Sequence, residues 1–332
     1  MIGTRRGSFV ALTAAFVAGA AAFGVPAQGG GRATPQPGAA AALAPSRECH
    51  YSLAARVRPL LFWVGKDNVG EGRIAWLAGE NGEQGFELLI GSLPDRAPRK
   101  INRWGYISER KERSEVRVIG FMTEVDAETY EQAEATTGGI PAGSRVYKVI
   151  QGNVGEASAA SRVSGVALSD KLTLRDLDAV AAQVPAPDLS ARIAVPPGAH
   201  PGFLFAMASL LRENVEGYLR AGVPPAKTVR SYVYGNKVYQ ATTRSSRFLA
   251  RTTIRGQVFT NVIESEFDAR QVGKDKGSRY RLVYGTEGEL REVPVRIVYR
   301  PKWWFEADLV MLSVAKPAQL AAGALLARGF TR

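Results

Sequence analysis

The stretch VRSYVYGNKVYQATT, residues 229–243, carries the clearest fold signal in this chain of 332 residues. Its first six residues alternate with the two-residue period of a half-buried strand. Gly235 and Asn236 then supply the two residues of a tight hairpin turn, and Val238–Thr243 runs back. The sequence therefore predicts a β-hairpin here, and with it an antiparallel sheet.

Strand-like segments extend this pattern in both directions along the chain, and Gly-rich or charged turns separate them. The predicted strands after the hairpin are the long strand carrying Phe259, Ile263 and Phe267, then Arg279–Tyr284, Val293–Tyr299 and Trp303–Met311. Those before it are Leu53–Val57, Leu60–Val64, Arg73–Leu77, Phe86–Ile90, Ile101–Ser108, Val116–Val125 and Arg145–Gln151. Short strands at this spacing indicate an antiparallel meander. The charged run Glu109–Ser114 is predicted as a turn between two of them.

Three segments have helical character. Asp126 is a candidate N-cap for a helix over 126–135, and apolar residues recur at helical spacing within Thr173–Val184. The strongest helix is Phe203–Ala221, where one apolar stripe runs the full length and Gly222 follows as a stop. The fold class is therefore β-rich α+β, with antiparallel meander sheets, curved or in a half-barrel, packed with two or three helices.

Residues 1–27 have the order of a secretory signal peptide. Arg5 and Arg6 precede an uncharged run over 7–25, and Val25-Pro26-Ala27 places small residues before a cleavage point. The expected location is the periplasm or the exterior. Two alternatives stay open: the run is also long enough for a retained membrane anchor, and Arg5-Arg6 admits twin-arginine export.

Composition divides the remaining chain into a disordered linker over 28–50, an N-terminal β-rich region over 51–184, a helix-plus-sheet region over 185–312 and a tail over 313–332. The two regions can form one composite domain or two. Without residues 1–27 the chain keeps 41 basic and 31 acidic residues, and the bases are scattered among acids, so no nucleic-acid partner is expected. Cys49 is the only cysteine, which rules out an intramolecular disulfide and favours a buried thiol.

No segment presents a convincing catalytic motif, and no cofactor or metal is expected. Gly70-Glu71-Gly72-Arg73-Ile74-Ala75 fits the loose dinucleotide fingerprint, but a strand-like segment follows where a helix is required, so a turn between strands is favoured. Ser313-Val314-Ala315-Lys316 lacks the partner motifs of the serine enzymes that it resembles. His50 and His200 are predicted to be surface or loop residues.

Seven residues are candidates for ligand or partner contacts. Glu264, Glu266 and Asp268 share one face of a strand and could hold a cation or an acid–base pair, although cross-strand pairing with Arg279 and Arg281 on a solvated face is favoured. The other two candidates are aromatic. Trp303 is predicted to point inward, and Trp304 outward beside Glu306 and Asp308, where it could stack on a sugar or contact a partner, although core packing beneath a helix is favoured.

The closing segments show a family resemblance. Phe267-Asp268, Arg279–Tyr284 and Leu290–Tyr299, with Val293-Pro294-Val295-Arg296-Ile297 inside the last, resemble Gram-negative periplasmic proteins of unknown function that have a curved antiparallel sheet. Those proteins are akin to the LolA/LolB-like carriers, which bind acyl chains in a half-open barrel closed by helices. The resemblance covers residues 228–312 and implies a shape, a compartment and a lipid-type ligand, without assigning any residue a role.

Three functions remain open at this point. The first is a non-catalytic envelope protein that binds an apolar or amphipathic ligand, or a protein partner, on a curved sheet, with an apolar cavity of about 300 Å³ or more. The second is a secreted hydrolase that uses strand carboxylates such as Glu264 and Glu266. The third is a structural or assembly protein of the envelope with an exposed apolar patch.

Overall fold

The computed structural model describes residues 43–58, 63–79, 82–187, 189, 192–275, 277–302 and 304–315. These residues form fourteen strands and three α-helices. The strands are β1 Ala44–Val57, β2 Val64–Ala78, β3 Gln84–Ser92, β4 Trp104–Glu112, β5 Glu115–Met122, β6 Ser144–Val154, β7 Ser158–Ser169, β8 Arg192–Ala194, β9 Val229–Tyr234, β10 Lys237–Ile254, β11 Gln257–Gln271, β12 Gly277–Gly285, β13 Pro294–Lys302 and β14 Phe305–Ala315. The helices are α1 Ala127–Thr137, α2 Leu177–Gln183 and α3 Phe203–Ala221.

All fourteen strands belong to one open, curved antiparallel sheet, which confirms the β-rich α+β class. The order across it is β8-β7-β6-β5-β4-β3-β2-β1-β14-β13-β12-β11-β10-β9. The N-terminal meander therefore runs outward from β1 to β8, and the C-terminal meander runs inward from β9 to β14. The pairing of β1 with β14 joins the two, so the predicted N-terminal and C-terminal regions share one sheet.

The sheet curves around α3. In the chain this helix lies between β8 and β9, which are the two edge strands of the sheet. Strands far apart in the order contact this one helix: Phe86 of β3 packs on Phe205, and Tyr232 of β9 and Tyr280 of β12 both pack on Phe203. We call the face toward α3 the concave face and the opposite face the convex face. A parallel bridge between His200 and Tyr232 ties the segment after β8 to β9.

The convex face carries a second apolar cluster at the N-terminal end of the sheet. Trp104, Phe121 and Tyr147 pack there beneath Leu174 and Val180, which belong to the turn and helix of the predicted segment 173–184. Helices therefore cover parts of both faces, as expected for a half-buried sheet.

The hairpin and two helix ends form as predicted. Gly235 and Asn236 both have positive φ and join β9 to β10. Asp126 caps α1 by accepting the Thr129 N–H, and Gly222 ends α3 in the left-handed conformation.

Several local predictions were wrong. The run 109–114 is mostly strand: β4 continues to Glu112, and only Arg113 and Ser114 turn the chain. Gly70 and Gly72 lie within β2 and not in a turn. A Cβ at Gly72 would overlap Leu309 of β14, which explains the glycine in this strand. The small-residue stretch after 152 forms β7, which its composition did not reveal.

The folded part also begins earlier than expected. Residues 44–50, predicted as linker, belong to β1, and the Cys49 thiol is fully buried there. Burial raises its pKa to about 11. The predicted signal peptide, the rest of the linker before residue 43 and the tail after 315 lie outside the described residues. Among those that are described, no helix is long and apolar enough to cross a bilayer.

Candidate functional site

Helix α3 lies on the concave face with its apolar stripe toward the sheet. Met207, Leu210, Leu211 and Val215 are buried, whereas Leu219, which the helical spacing predicts in the same stripe, is about half exposed near the end of the helix. The helix therefore covers the concave face as its amphipathic sequence predicts, except in its last turn.

The aromatic contacts between α3 and the sheet are rich in tyrosine, and we call the concave-face residues under α3 the bed. Tyr218 stacks on Phe248 with 4.3 Å between ring centroids, and Phe203 lies between Tyr232 and Tyr280 at 5.7 and 5.9 Å. Such rings give a wide apolar surface with polar hydroxyls at intervals, which suits contact with an amphipathic element.

Polar groups are placed within this bed in hydrogen-bonded sets. Asn214 of α3 is fully buried and its amide donates to the Tyr284 hydroxyl at 2.9 Å. That hydroxyl also lies 2.8 Å from Ser265 Oγ, and Thr228 Oγ1 donates to Asn214 Oδ1 at 3.4 Å. These bonds fix the middle of α3 on the sheet, because a buried amide without partners would be costly.

The N-terminus of α3 meets a single carboxylate, that of Glu109 on β4. Glu109 is 0% exposed, and its two oxygens accept the N–H groups of Leu204 and Phe205, each at 3.0 Å. A helix N-terminus presents unpaired N–H donors, which attract negative charge. Gly202 precedes the helix without a capping side chain, and a Cβ there would overlap the Glu109 carboxyl. Glu109 therefore caps α3 from a distant strand.

The protonation of Glu109 is poised near neutrality. Burial raises its pKa to about 7, against the lowering effect of the three backbone N–H groups of Phe203, Leu204 and Phe205. Among the described residues no Lys, Arg or His side chain is paired with it. A carboxylate held only by helix N–H groups can gain or lose a proton within the physiological range.

A small cavity adjoins the concave face between α1, β6–β7 and the β9–β10 hairpin. Its volume is about 190 Å³ and its lining is mixed, with Lys148, Lys237, Tyr239, Ile150 and Val163 among the contributors. Asp126 at the start of α1 pairs with Lys148 at 2.6 Å across one wall. This cavity is smaller and more polar than the apolar one that the sequence predicts for a lipid ligand.

Five of the seven candidate site residues lie on the convex face of β11 and β12. Glu264 is bonded by Arg247 at 2.7 Å and lies 4.0 Å from Arg281, and Asp268 contacts Arg244 and lies 3.8 Å from Arg279. These contacts have the geometry of the cross-strand pairing favoured above.

Glu266 is the fifth residue on this face; it lies opposite Arg281 in the strand register and is exposed. Trp304 is half-buried, packs against the main core and has its ring 6.1 Å from that of Phe305. Trp303 lies outside the described residues.

Two other arrangements were not predicted from the sequence. One is the Glu109 cap, which lies 95 residues from its partner in the chain. The other is on the convex face, where Asp308 is 1% exposed and meets three arginines. Arg296 donates two bonds to it at 2.8 and 2.9 Å, while Arg56 and Arg255 lie 3.6 and 3.7 Å away.

The third of these arginines, Arg255, lies on the long hairpin formed by β10 and β11. Arg255 sits at the tip of the β10–β11 hairpin and contacts Asp67 as well as Asp308. Asn261 adopts a positive φ within β11, which breaks the regular strand below this tip. These contacts place the hairpin tip next to β2 and β14. There the Arg255 charge offsets part of the cost of burying the Asp308 carboxylate.

Comparison with known proteins finds a weak similarity to one solved structure. No protein-family model and no curated protein matches this chain. A crystal structure of a β-barrel-like protein of the domain of unknown function DUF1849 from Brucella abortus is similar at a TM-score of 0.40 and 9% identity, over 83% of this chain and 98% of that one. The resemblance of residues 228–312 to LolA/LolB-like carriers stays a prediction.

Proposed function

We propose that this protein is an exported, non-catalytic binding protein of the cell envelope. Its ligand would be an amphipathic molecule, such as a lipid, or an amphipathic segment of a protein partner, bound on the concave face. The observation that supports this is α3 itself: the concave face already holds an amphipathic element through aromatic contacts and a few hydrogen bonds. A molecule with the same division of polar and apolar surface would suit the same bed.

Binding on this face requires α3 to move. The described cavity of about 190 Å³ is too small for an acyl chain of ordinary length and lies beside the bed, not under the helix. The outer flank of α3 is exposed: Leu219 is about half in solvent, and Arg212 makes a surface ion pair with Glu292 at 3.5 Å, so lifting the helix would break no strand pairing. The ligand would therefore take the place of α3.

The hydrolase alternative receives no support from the geometry. Glu264 lies between two arginines on the convex face, and Glu266 is exposed on the same strand. A carboxylate pair for acid–base catalysis needs a shared cleft in which the two groups have different environments. We therefore propose binding without bond making or breaking.

A reversible lock on α3 tests the proposal within one protein. Arg230 Nε of β9 donates to Ser209 Oγ of α3 at 3.2 Å, while Cys49 is buried elsewhere. Because an arginine side chain reaches further than a cysteine, the thiols of a Ser209→Cys/Arg230→Cys variant are joined by a short bis-methanethiosulfonate linker, which a reductant removes. Mass spectrometry confirms whether the crosslink has formed. The probe is cis-parinaric acid, an amphipathic fatty acid whose fluorescence rises in an apolar site.

The variant without the linker and the delipidated wild type should bind the probe, and the crosslinked variant should bind it at least tenfold more weakly. Equal binding by the crosslinked form and by the same form after reduction would show that the ligand does not replace α3. No binding by any form, together with a stoichiometric protein that co-purifies from envelope extracts, would favour the partner or assembly role. No binding and no partner would overturn the proposal.

Export is tested separately. Fractionation of cells that express the full chain should place it in the envelope or periplasm. The mature N-terminus, determined by mass spectrometry, should be residue 28. An intact N-terminus in the membrane fraction would favour the anchor, and an intact N-terminus in the cytosol would refute export.

A further inference from the structure

Among the described residues, Glu109 is the one fully buried carboxyl group in contact with α3. The carboxyl lies beneath the start of the helix, and its hydrogen bonds go to the N–H groups of Leu204 and Phe205. The other contacts of α3 include apolar stacking, neutral hydrogen bonds such as Asn214–Tyr284, and the ion pairs Arg230–Glu213 and Arg212–Glu292 at the rim. The state of one carboxyl group therefore changes the energy of the covered arrangement without altering the bed.

The surroundings of Glu109 contain few other groups that titrate. Tyr232 and Tyr234 of β9 face it: burial above all raises their pKa values well above the ordinary range, and the Glu109 charge adds to this. Its neighbours across the sheet, Phe86 on β3 and Val118 on β5, cannot titrate. His200 precedes the helix, and burial lowers its pKa, with Arg230 contributing.

We propose that Glu109 is a proton-controlled latch for α3, so that uptake of one proton holds the helix on the concave face and its loss makes the helix easier to displace. The inference deepens the proposed function, because it names what regulates entry to the same face. This inference rests on the proposed function only for the identity of the ligand that binds the concave face. The effect of the Glu109 proton on α3 can be measured without any ligand.

The direction follows from the exposure of Glu109 when α3 lifts. In the covered form the carboxyl is fully buried and its pKa is about 7, whereas in water the ordinary value is 4.5. The covered form therefore holds more protons than the open form between these values, and rising pH favours opening. His200 acts in the opposite sense. Its pKa is lowered in the covered form, so the open form binds more protons as the pH falls, and a falling pH favours opening.

Hydrogen exchange at the start of α3 measures the latch directly. The readout is the opening constant of the amides of 204–206, corrected for the intrinsic exchange rate at each pH. In the wild type this constant should be roughly 10- to 100-fold larger at pH 8 than at pH 5, as expected for one group whose pKa differs by this amount between two states. In Glu109→Gln it should change less than about threefold.

Two controls separate the latch from other causes. Glu115→Gln removes an exposed carboxylate on the adjacent strand β5 and should keep the wild-type pH profile. His200→Asn should keep the rise toward pH 8. If the wild type shows no rise between pH 5 and pH 8, or if the rise persists in Glu109→Gln, the latch is refuted. The wild-type profile is decisive even if Glu109→Gln does not fold.

Probe binding at two pH values then distinguishes the two proposals. If cis-parinaric acid replaces α3, it should bind the wild type more tightly at pH 8 than at pH 5, and Glu109→Gln should lose most of that difference. A pH-dependent exchange profile without probe binding would retain the latch and reject the fatty-acid ligand. Probe binding with a flat exchange profile would retain the function and reject the latch.

Discussion

Glu109 on the concave face and Asp308 on the convex face are both buried carboxylates, yet they are stabilised in different ways. Asp308 is surrounded by three guanidinium groups, one of which comes from the tip of the β10–β11 hairpin. Among the described residues, Glu109 is bonded by the N–H groups at the start of one helix. The comparison shows that one sheet buries carboxyl groups in two environments: among guanidinium groups on the convex side, and against a helix N-terminus on the concave side.

The largest effect is expected from breaking the convex arrangement. Asp308→Asn leaves Arg56, Arg255 and Arg296 without their shared carboxylate, and removing one partner of a buried ion pair costs about 3–5 kcal/mol. Urea unfolding at pH 7 measures the loss. The matched control is Glu71→Gln, which breaks a largely exposed pair with Arg175 and should cost less than about 1 kcal/mol. Similar losses for both variants would mean that burial does not strengthen the Asp308 network.

The next effect concerns pH. Because Glu109 has a pKa of about 7 when folded and 4.5 in water, its contribution lowers the free energy of unfolding as the pH rises between these values. The decrease from pH 5 to pH 8 should be about 2–3 kcal/mol for the wild type. Urea titrations at the two pH values should show this decrease in the wild type and not in Glu109→Gln. An equal slope in both would assign the pH dependence to other groups.

This contrast also shows how far the sequence could lead. The hairpin at 229–243, the stripe of α3 and its stop at Gly222 were predictable because each depends on neighbours within a few residues. The alignment of Asp268 with Arg279 follows from one hairpin and was equally accessible. These features are local in the chain, so periodicity and turn chemistry are sufficient.

Glu109 was out of reach for the opposite reason. In the run Glu109-Arg110-Lys111-Glu112-Arg113 nothing local distinguishes the one buried residue from its exposed neighbours. The only available sign was the two-residue period of β4, which continues past Ser108 and places Glu109 on the same face as Ile107. Its partner lies 95 residues away, and the burial of Asp308 likewise depends on arginines from three other strands or turns.

A third effect tests how closely the Glu109 carboxyl fits against the helix. Gly202→Ala places a methyl group where that carboxyl lies, although the backbone there is extended and tolerates a side chain. The overlap should cost about 1–2 kcal/mol in urea unfolding. In the Glu109→Ala background the same change should cost at least about 1 kcal/mol less, because the space is then free. Additive losses would show that Gly202 serves another purpose.

A smaller effect is expected at Glu264, whose exposure lies between those of Asp308 and Glu71. Its carboxylate is 15% exposed and contacts Arg247 and Arg281, whose side chains are 70% and 34% exposed. Water can therefore replace much of what the arginines provide, and Glu264→Gln should cost about 0.5–1 kcal/mol. Asp308, Glu264 and Glu71 then form a series in which the loss falls as exposure rises. A loss at Glu264 equal to that at Asp308 would break the series, and reduced binding of cis-parinaric acid by Glu264→Gln would direct the search for the ligand to the convex face.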